Sequence, residues 1–215
     1  MYFGFAATSE FPIGYHLPMA LREMDPQELQ HALQGLALGD EAAYTGIYEH
    51  YWHQIYHFSR TLTRDDATAQ DVAQQVFYDL LVKQINFLGQ SKFSSYLCRI
   101  AINKAADLGR KSSDRPNHVN IDDPGEYPDT ADESRTSNPE LAMEDRQTDA
   151  SYRRCLDKLP SHQKVVLACY SQQMTETEIA KVIECAIGTV KSRLSTARAS
   201  MRKCLDPWRR EVQRA

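Results

Sequence analysis

Within eight residues near the C-terminus stand six side chains that could grip a nucleic acid: Lys191, Ser192, Arg193, Ser195, Thr196 and Arg198. Lysine and arginine neutralise phosphates or meet guanine edges, and serine and threonine hydroxyls reach bases or phosphate oxygens. They alternate with Val190, Leu194, Ala197 and Met201, whose spacing marks one buried face of an α-helix. Ser192, Ser195 and Thr196 then point away from that face, and Lys191 and Arg193 flank it. Upstream, Ile179, Ala180 and Ile183 form a shorter apolar run, and only the turn 184–188 separates the two. Helices joined by so short a turn can cross steeply, as in a helix-turn-helix, whose second helix enters the DNA major groove. A helical hairpin with a merely solvated basic face would share this local pattern.

A second constellation suggests metal chemistry. His50, His53 and His57 stand at i, i+3 and i+7 of one helical face, a spacing at which imidazoles could bind zinc, nickel or copper. Tyr51, Trp52, Ile55 and Tyr56 surround them and no cysteine or carboxylate clearly completes a ligand set, so no metal is expected; whether this face binds one is left open. No nucleophile elbow, P-loop or HExxH pattern occurs, so no enzymatic activity and no cofactor are expected. Cys98, Cys155, Cys169, Cys185 and Cys204 form no CxxC pair and are odd in number, which predicts buried thiols in a reducing cytosol rather than disulfides or a zinc site.

The 215 residues, 42% hydrophobic and 25% charged, suit a soluble globular chain of one or two domains. No apolar run reaches the ~18 residues of a membrane span, and the start lacks a cationic segment before its apolar residues. A cytoplasmic location follows as an expectation. The net charge of −4 hides an asymmetry: net −3 over 1–111, −8 over 112–150 and +7 over 151–215. A basic C-terminal module behind an acidic connector is the electrostatic footprint of a protein that meets a polyanion.

Residues 112–140 carry four prolines and few apolar side chains, too few to offset the entropy of ordering, and read as a flexible acidic linker. On either side the patterning is all-α, with no strong period-2 runs. Asp25 and Pro26 open a first helix as N-cap and first helical residue. A long helix is predicted over roughly 40–62, with Ala43, Ile47, Tyr51, Ile55 and Phe58 on one stripe, and another over roughly 65–84, capped by Asp65 or Asp66, with Val72, Val76, Leu80 and Lys83 along one side. The loop 86–92 leads to a fourth helix over about 93–111, where Leu97, Ile100, Ala101, Lys104 and Leu108 share a face. In the second module a helix near 140–158 precedes Pro160, and Thr175 with Glu178 forms a capping box before the helix-turn-helix.

Three blocks in this order resemble the extracytoplasmic-function (ECF) sigma factors of bacterial RNA polymerase: "GDEAAYTGIYEHYWHQIYHFSRTL", "DATAQDVAQQVFYDLL" and "LPSHQKVVLACYSQQMTETEIAKVIECAIGTVKSRLSTARASMR". The second is similar to the family's D-x-x-Q-[ED]-x-F segment and the third to its G-T-V-K-S-R-L recognition helix. The resemblance implies a region 2 domain over 25–111, a linker over 112–139 and a region 4 domain over 140–207. Residues 1–24 would be an extension without order of its own, and 208–215 a tail. The implied partners are core RNA polymerase, promoter DNA and an anti-sigma factor.

The same resemblance implies roles for single residues. Asp71, Gln74 and Gln75 would meet the polymerase clamp helices, with Gln75 where the family usually carries an acid. The loop holding Asn86 and Lys92 would receive a flipped base of the minus-ten element. Tyr96 (usually Trp) and Asn103 would face the melted strand, and Arg99, Lys104, Arg110 and Lys111 would hold its phosphates. Lys191, Ser192, Arg193, Ser195, Thr196 and Arg198 would meet the minus-thirty-five duplex. Three departures stand out: Glu184 where the turn often has Gly, Thr196 where Arg is frequent and Leu81 where Trp is common. Glu184 suggests a turn built in another way, since a positive φ would strain it. The rival reading is a helix-turn-helix regulator that binds duplex DNA without joining polymerase.

Overall fold

The computed structural model describes residues 22–63, 65–82, 87, 89, 91–113 and 150–212, and every regular element among them is an α-helix. In the N-terminal half these are α1 (Pro26–Ala37), α2 (Glu41–Leu62), α3 (Asp66–Val82) and α4 (Phe93–Ser113). In the C-terminal half, α5 covers 150–157, followed by α6 (Ser161–Ser171), α7 (Glu176–Val182) and α8 (Ile187–Val212).

Local chemistry sets the starts. The Asp25 carboxylate accepts from the N–H groups of Gln27 and Glu28, and Asp40 accepts from the Ala42 N–H. Asp65 caps α3, accepting from the Thr68 N–H at 2.7 Å and the Thr68 hydroxyl at 2.8 Å. These bonds satisfy donors that a helix N-terminus leaves without partners. Gly35 is required by close approach: a Cβ there would meet the Ala43 Cβ at 2.7 Å, so the glycine lets α1 fold back onto α2.

Most residues of the predicted stripes lie on the buried faces; Ala43, Ile100, Lys104 and Leu108 are half-buried, and Lys83 lies outside the described residues. Ile47, Tyr51, Ile55 and Phe58 of α2, Val72, Val76, Phe77 and Leu80 of α3, and Phe93, Leu97 and Ala101 of α4 close the first core. Tyr51 meets Phe93 edge to face at 5.4 Å between centroids. The chain before α1 adds to it. Met24 is buried, its N–H donates to the Tyr51 hydroxyl at 3.0 Å, the Arg22 N–H donates to Gln54 Oε1, and Ser94 Oγ donates to the Glu23 carboxylate. Residues 22–24, grouped in the sequence with an extension lacking order, are therefore docked; residues 1–21 lie outside the described residues, as do 114–149, which include most of the predicted linker.

The C-terminal half adds Leu156, Leu159, Val166, Leu167, Ile179, Val190, Leu194, Ala197, Met201 and Leu205 to one buried cluster continuous with that of the first half. Here α8 runs through Val212, past the expected end at 207, although Pro207 inside it can donate no backbone bond. The cysteine expectation is corrected: Cys155 of α5 and Cys204 of α8 are joined in a disulfide, and only Cys98, Cys169 and Cys185 are free thiols. Sequence spacing could not show this, because the two half-cystines are 49 residues apart and meet only when α8 packs on α5.

The two halves pack on each other, α2 against α6 and α4 against α7. Among the described residues, ion pairs cross between them at Arg153–Asp66 (2.7 Å), Lys92–Glu178 (2.9 Å) and Arg99–Glu184 (3.7 Å). Exposed pairs of this kind contribute at most about 1 kcal/mol each, so they orient the packing more than they hold it.

Candidate polymerase and nucleic-acid interfaces

Helix α3 has two faces of different character. Val72, Ala73, Val76, Phe77 and Leu80 are buried, whereas Asp71, Gln74 and Gln75 are exposed on the opposite side. The exposed stripe continues along the helix as Tyr78, Leu81 and Val82, which are 58%, 51% and 55% accessible. Large apolar side chains left in water beside polar ones mark an interaction site. Tyr78, Leu81 and Val82 were missing from the sequence-derived polymerase set, where Leu81 figured only as a departure from the family's Trp. The available signal was an α3 that is apolar nearly all round at its C-terminal end, which a single buried face does not require.

On α4, Lys92, Tyr96, Arg99 and Asn103 recur at i, i+4, i+7 and i+11 and share one face. Lys92 sits at the cap, its carbonyl accepting from the Tyr96 N–H at 3.2 Å. Tyr96 is half-buried against Phe87 and Phe93, with ring centroids at 5.6 and 6.2 Å, and the Arg99 guanidinium lies 5.8 Å from its ring. Asn103 is exposed. This face looks toward the helix-turn-helix, where Lys92 and Arg99 find Glu178 and Glu184. Lys104 lies elsewhere: its ammonium pairs with the buried Asp79 of α3 at 2.8 Å and donates to Gln75 Oε1 at 3.5 Å. It clamps α4 to α3 and leaves the Tyr96 face to other residues. Asn86 and the side chains of Arg110 and Lys111 are outside the described residues.

In the helix-turn-helix, the Thr175 capping box is complete: the Thr175 N–H donates to Glu178 Oε2 at 2.8 Å and the Glu178 N–H donates to Thr175 Oγ1 at 3.2 Å. Burial works to raise the Glu178 carboxyl, but the Thr175 N–H and the Lys92 ammonium outweigh it and hold it below the ordinary glutamate value. Glu184 does adopt the left-handed conformation, φ 52°, contrary to the expectation of a different turn. The Cys185 N–H donates to the Ala180 carbonyl at 3.1 Å, which closes a Schellman motif with Glu184 in the position usually given to glycine. The backbone pattern of this turn outweighs the cost of a Cβ there, of the order of 1 kcal/mol.

Along α8, Val190, Leu194, Ala197 and Met201 are buried as the spacing predicts, and Ser192, Ser195 and Thr196 are exposed. Thr196 Oγ1 donates back to the Ser192 carbonyl at 3.0 Å. Lys191 is exposed beside Glu176, 3.6 Å away, and Arg193 is half-buried. Arg198 is turned inward, its guanidinium carbon 4.1 Å over the Tyr170 ring of α6, a cation–π contact that braces α8 on α6. The exposed stripe extends further than the sequence-derived set, to Ala199 and Lys203, which stand at i+7 and i+11 from Ser192 and so continue its face. Of the three histidines, His50 bonds the Arg22 carbonyl at 3.0 Å and packs on Tyr51, while His53 and His57 are exposed. Among the described residues no three His, Cys, Asp or Glu side chains form a group that could hold a metal ion. No helix among them is long and apolar enough to cross a membrane.

Comparison with known proteins agrees with this layout. Residues 47–115 match the family model described as sigma-70 region 2, and residues 149–201 match sigma-70, region 4. The RNA polymerase sigma-H factor of Pseudomonas aeruginosa is 30% identical over 199 residues, covering 90% of this chain and 100% of that protein. The ECF RNA polymerase sigma factor SigW of Bacillus subtilis is 28% identical over 175 residues, covering 78% and 91%. Among solved structures, CnrH in complex with the cytosolic domain of CnrY superimposes with a TM-score of 0.57 at 18% identity, covering 84% of this chain and 98% of that one. The sigma factor RpoE in complex with the anti-sigma factor NepR from Bartonella quintana gives 0.51 at 21% identity, covering 84% and 95%. With both regions matched in order, and a relative of this similarity along nearly its whole length, the chain belongs to the sigma-70 family as an ECF-type RNA polymerase sigma factor.

Proposed function

We propose that this sigma factor divides its task among three faces. The exposed α3 stripe, Asp71, Gln74 and Gln75 together with Tyr78, Leu81 and Val82, docks on the clamp helices of core polymerase. The α4 face of Tyr96, Arg99 and Asn103, with Lys92 at its end, takes up the melted minus-ten strand. The outward face of α8, Ser192, Ser195 and Thr196 flanked by Lys191 and Arg193, reads the minus-thirty-five duplex. Asn86, Arg110 and Lys111 belong to the minus-ten set by resemblance alone. The chain performs no bond chemistry itself: binding energy captures unpaired bases, and polymerase makes the RNA. It acts in the cytoplasm, where polymerase and DNA are.

The observation that carries the reading is the separation of the α3 stripe from both basic faces on one small all-helical chain. A plain duplex-binding regulator has no use for an exposed row of Tyr78, Leu81 and Val82 beside an acid. The α4 cations that would hold strand phosphates are paired with Glu178 and Glu184, so the chain as described is closed, and engagement of polymerase separates its halves. An anti-sigma factor, the partner class named for the Bartonella RpoE structure, would act by keeping these faces covered. Reconstitution with core polymerase on a library of promoter sequences tests the function directly. Sequence-selective initiation supports it; duplex binding without any effect on polymerase overturns it.

Tyr96→Ala and Asn103→Ala are expected to impair open-complex formation more than polymerase binding, since aromatic stacking on an unpaired base is worth about 1–3 kcal/mol. Permanganate reactivity of the melted region is the measurement, and normal melting by both variants would make these positions plain structure. Lys191→Ala should weaken holoenzyme binding to all minus-thirty-five sequences and lower the salt slope by about one unit. Thr196→Arg should instead shift the preferred sequence, because arginine pairs bidentately with guanine for about 1–3 kcal/mol of discrimination. Binding across a salt series and a randomised minus-thirty-five library separates the two effects; the reverse assignment would exchange the two faces of α8.

A further inference from the structure

We propose that Cys155 and Cys204 are a reversible thiol–disulfide pair through which the redox state of the surroundings sets the stability of the region 4 domain. The bond joins α5 to α8 with Cα atoms 5.8 Å apart, inside the range a disulfide requires. It spans 49 residues of sequence and so encloses α6, α7 and the entire outward face of α8. That loop is nearly the whole domain. A cross-link over a long loop restricts the unfolded chain strongly. Opening or closing this one bond therefore changes how firmly the duplex-reading helix is held.

The other cysteines leave the chemistry to this pair. Cys98 and Cys169 are wholly buried, and burial pushes both thiols up, Cys169 to about 12, so they stay protonated and poorly nucleophilic. Cys185 is half-exposed in the turn, where its thiol donates to the Ala186 carbonyl at 3.6 Å. Cys204 is the half-exposed residue of the two and Cys155 the buried one, so external attack is assigned to Cys204. Attack there forms a mixed disulfide and expels Cys155 as the thiolate, which takes a proton. A second external thiol then releases Cys204 and leaves as the low-molecular-weight disulfide. Two electrons and two protons pass to the protein, and the reverse sequence, with the same small disulfide as oxidant, restores the bond. Cys204 lies three turns beyond Ser192, so the exchange acts on the hold of α8 and leaves the groove-facing side chains chemically unchanged.

The test uses the full chain in glutathione buffers stepped from fully reduced to fully oxidised. The 155–204 bond is quantified by alkylation and peptide mass, and thermal melting is followed in each buffer. The pair should pass from dithiol to disulfide within the series, and the oxidised form should melt at least about 5 °C above the reduced one. The double variant Cys155→Ser, Cys204→Ser should melt alike in both buffers; because the wild-type comparison needs no variant, a poorly folding double mutant leaves the test intact. In a second arm, holoenzyme binding to a minus-thirty-five duplex near the reduced protein's midpoint should fall several-fold on reduction. A pair that never oxidises, one that never reduces, equal melting of the two forms, or capture of either sulfur by Cys185 would each overturn the proposal. The redox titration stands without any promoter contact. A shift in melting with no change in duplex binding would therefore count against the coupling to promoter reading, and leave the assignment of this chain as a sigma factor where it is.

Discussion

Asp71→Arg is expected to weaken association with core RNA polymerase at least about tenfold, the result of placing like charge at a complementary interface, where the cost is of the order of 1.4 kcal/mol or more. Asp71 is exposed and makes no contribution to the buried side of α3, so the melting temperature of the free protein should hardly move. The apolar end of the same stripe offers an independent check. Leu81→Ser removes an exposed apolar group, half accessible in the free chain, and should weaken polymerase binding in the same direction without unfolding the helix. Titration of core polymerase with labelled protein decides both. Unchanged affinity for both variants would remove α3 from the polymerase interface.

The second large effect belongs to Asp79. Its carboxylate is nearly buried and holds the Lys104 ammonium at 2.8 Å, and Lys104 is itself only about one-fifth exposed. Removing one member of a buried pair leaves an uncompensated charge, which in full burial costs about 3–5 kcal/mol; with the partial access of Lys104 to water, about 1–3 kcal/mol is the expectation. Asp79→Ala should thus destabilise the first domain by that amount, and Lys104→Ala should destabilise it while changing promoter melting only in proportion to the folded fraction. The double variant Asp79→Ala, Lys104→Ala should recover part of the loss. Denaturant unfolding of the three variants is the measurement. A Lys104→Ala protein of normal stability that fails to hold the melted strand would return Lys104 to the DNA-facing set.

Asp79 shows why the site was only partly legible. In the sequence it is one acid in an apolar stretch, and Lys104, 25 residues on, looks like any cation of a DNA-facing helix. Nothing local couples them; the pair exists because α3 and α4 pack side by side. Arg198 is a similar case. Its spacing puts it beside the basic residues of α8, yet the Tyr170 ring lies within reach once α6 packs there, and a guanidinium can lie flat on it. By contrast, Ser192, Ser195 and Thr196 were legible, because Val190, Leu194, Ala197 and Met201 define the buried side of a helix and geometry places the rest.

By itself the sequence determined the helices, their caps and their inward faces. Asp25, Asp40, Asp65 and Thr175 each satisfy backbone donors two or three residues away, and apolar residues at helical spacing specify a face without reference to any partner. It also carried the order of three blocks that resemble the family. Only the tertiary structure decided what each face meets: the docking of Met24 under Tyr51, the Lys104–Asp79 clamp, the Cys155–Cys204 bond and the packing of α4 on α7. It also decided that Glu184 takes a left-handed turn, where the Cys185 N–H reaches back to the Ala180 carbonyl. The physical reason is one of range. Capping and periodicity act over a few residues and leave their mark in the local sequence. Partners from 25 to more than 80 residues apart are chosen by how whole helices fill a shared core, and that choice is written in no single stretch of the chain.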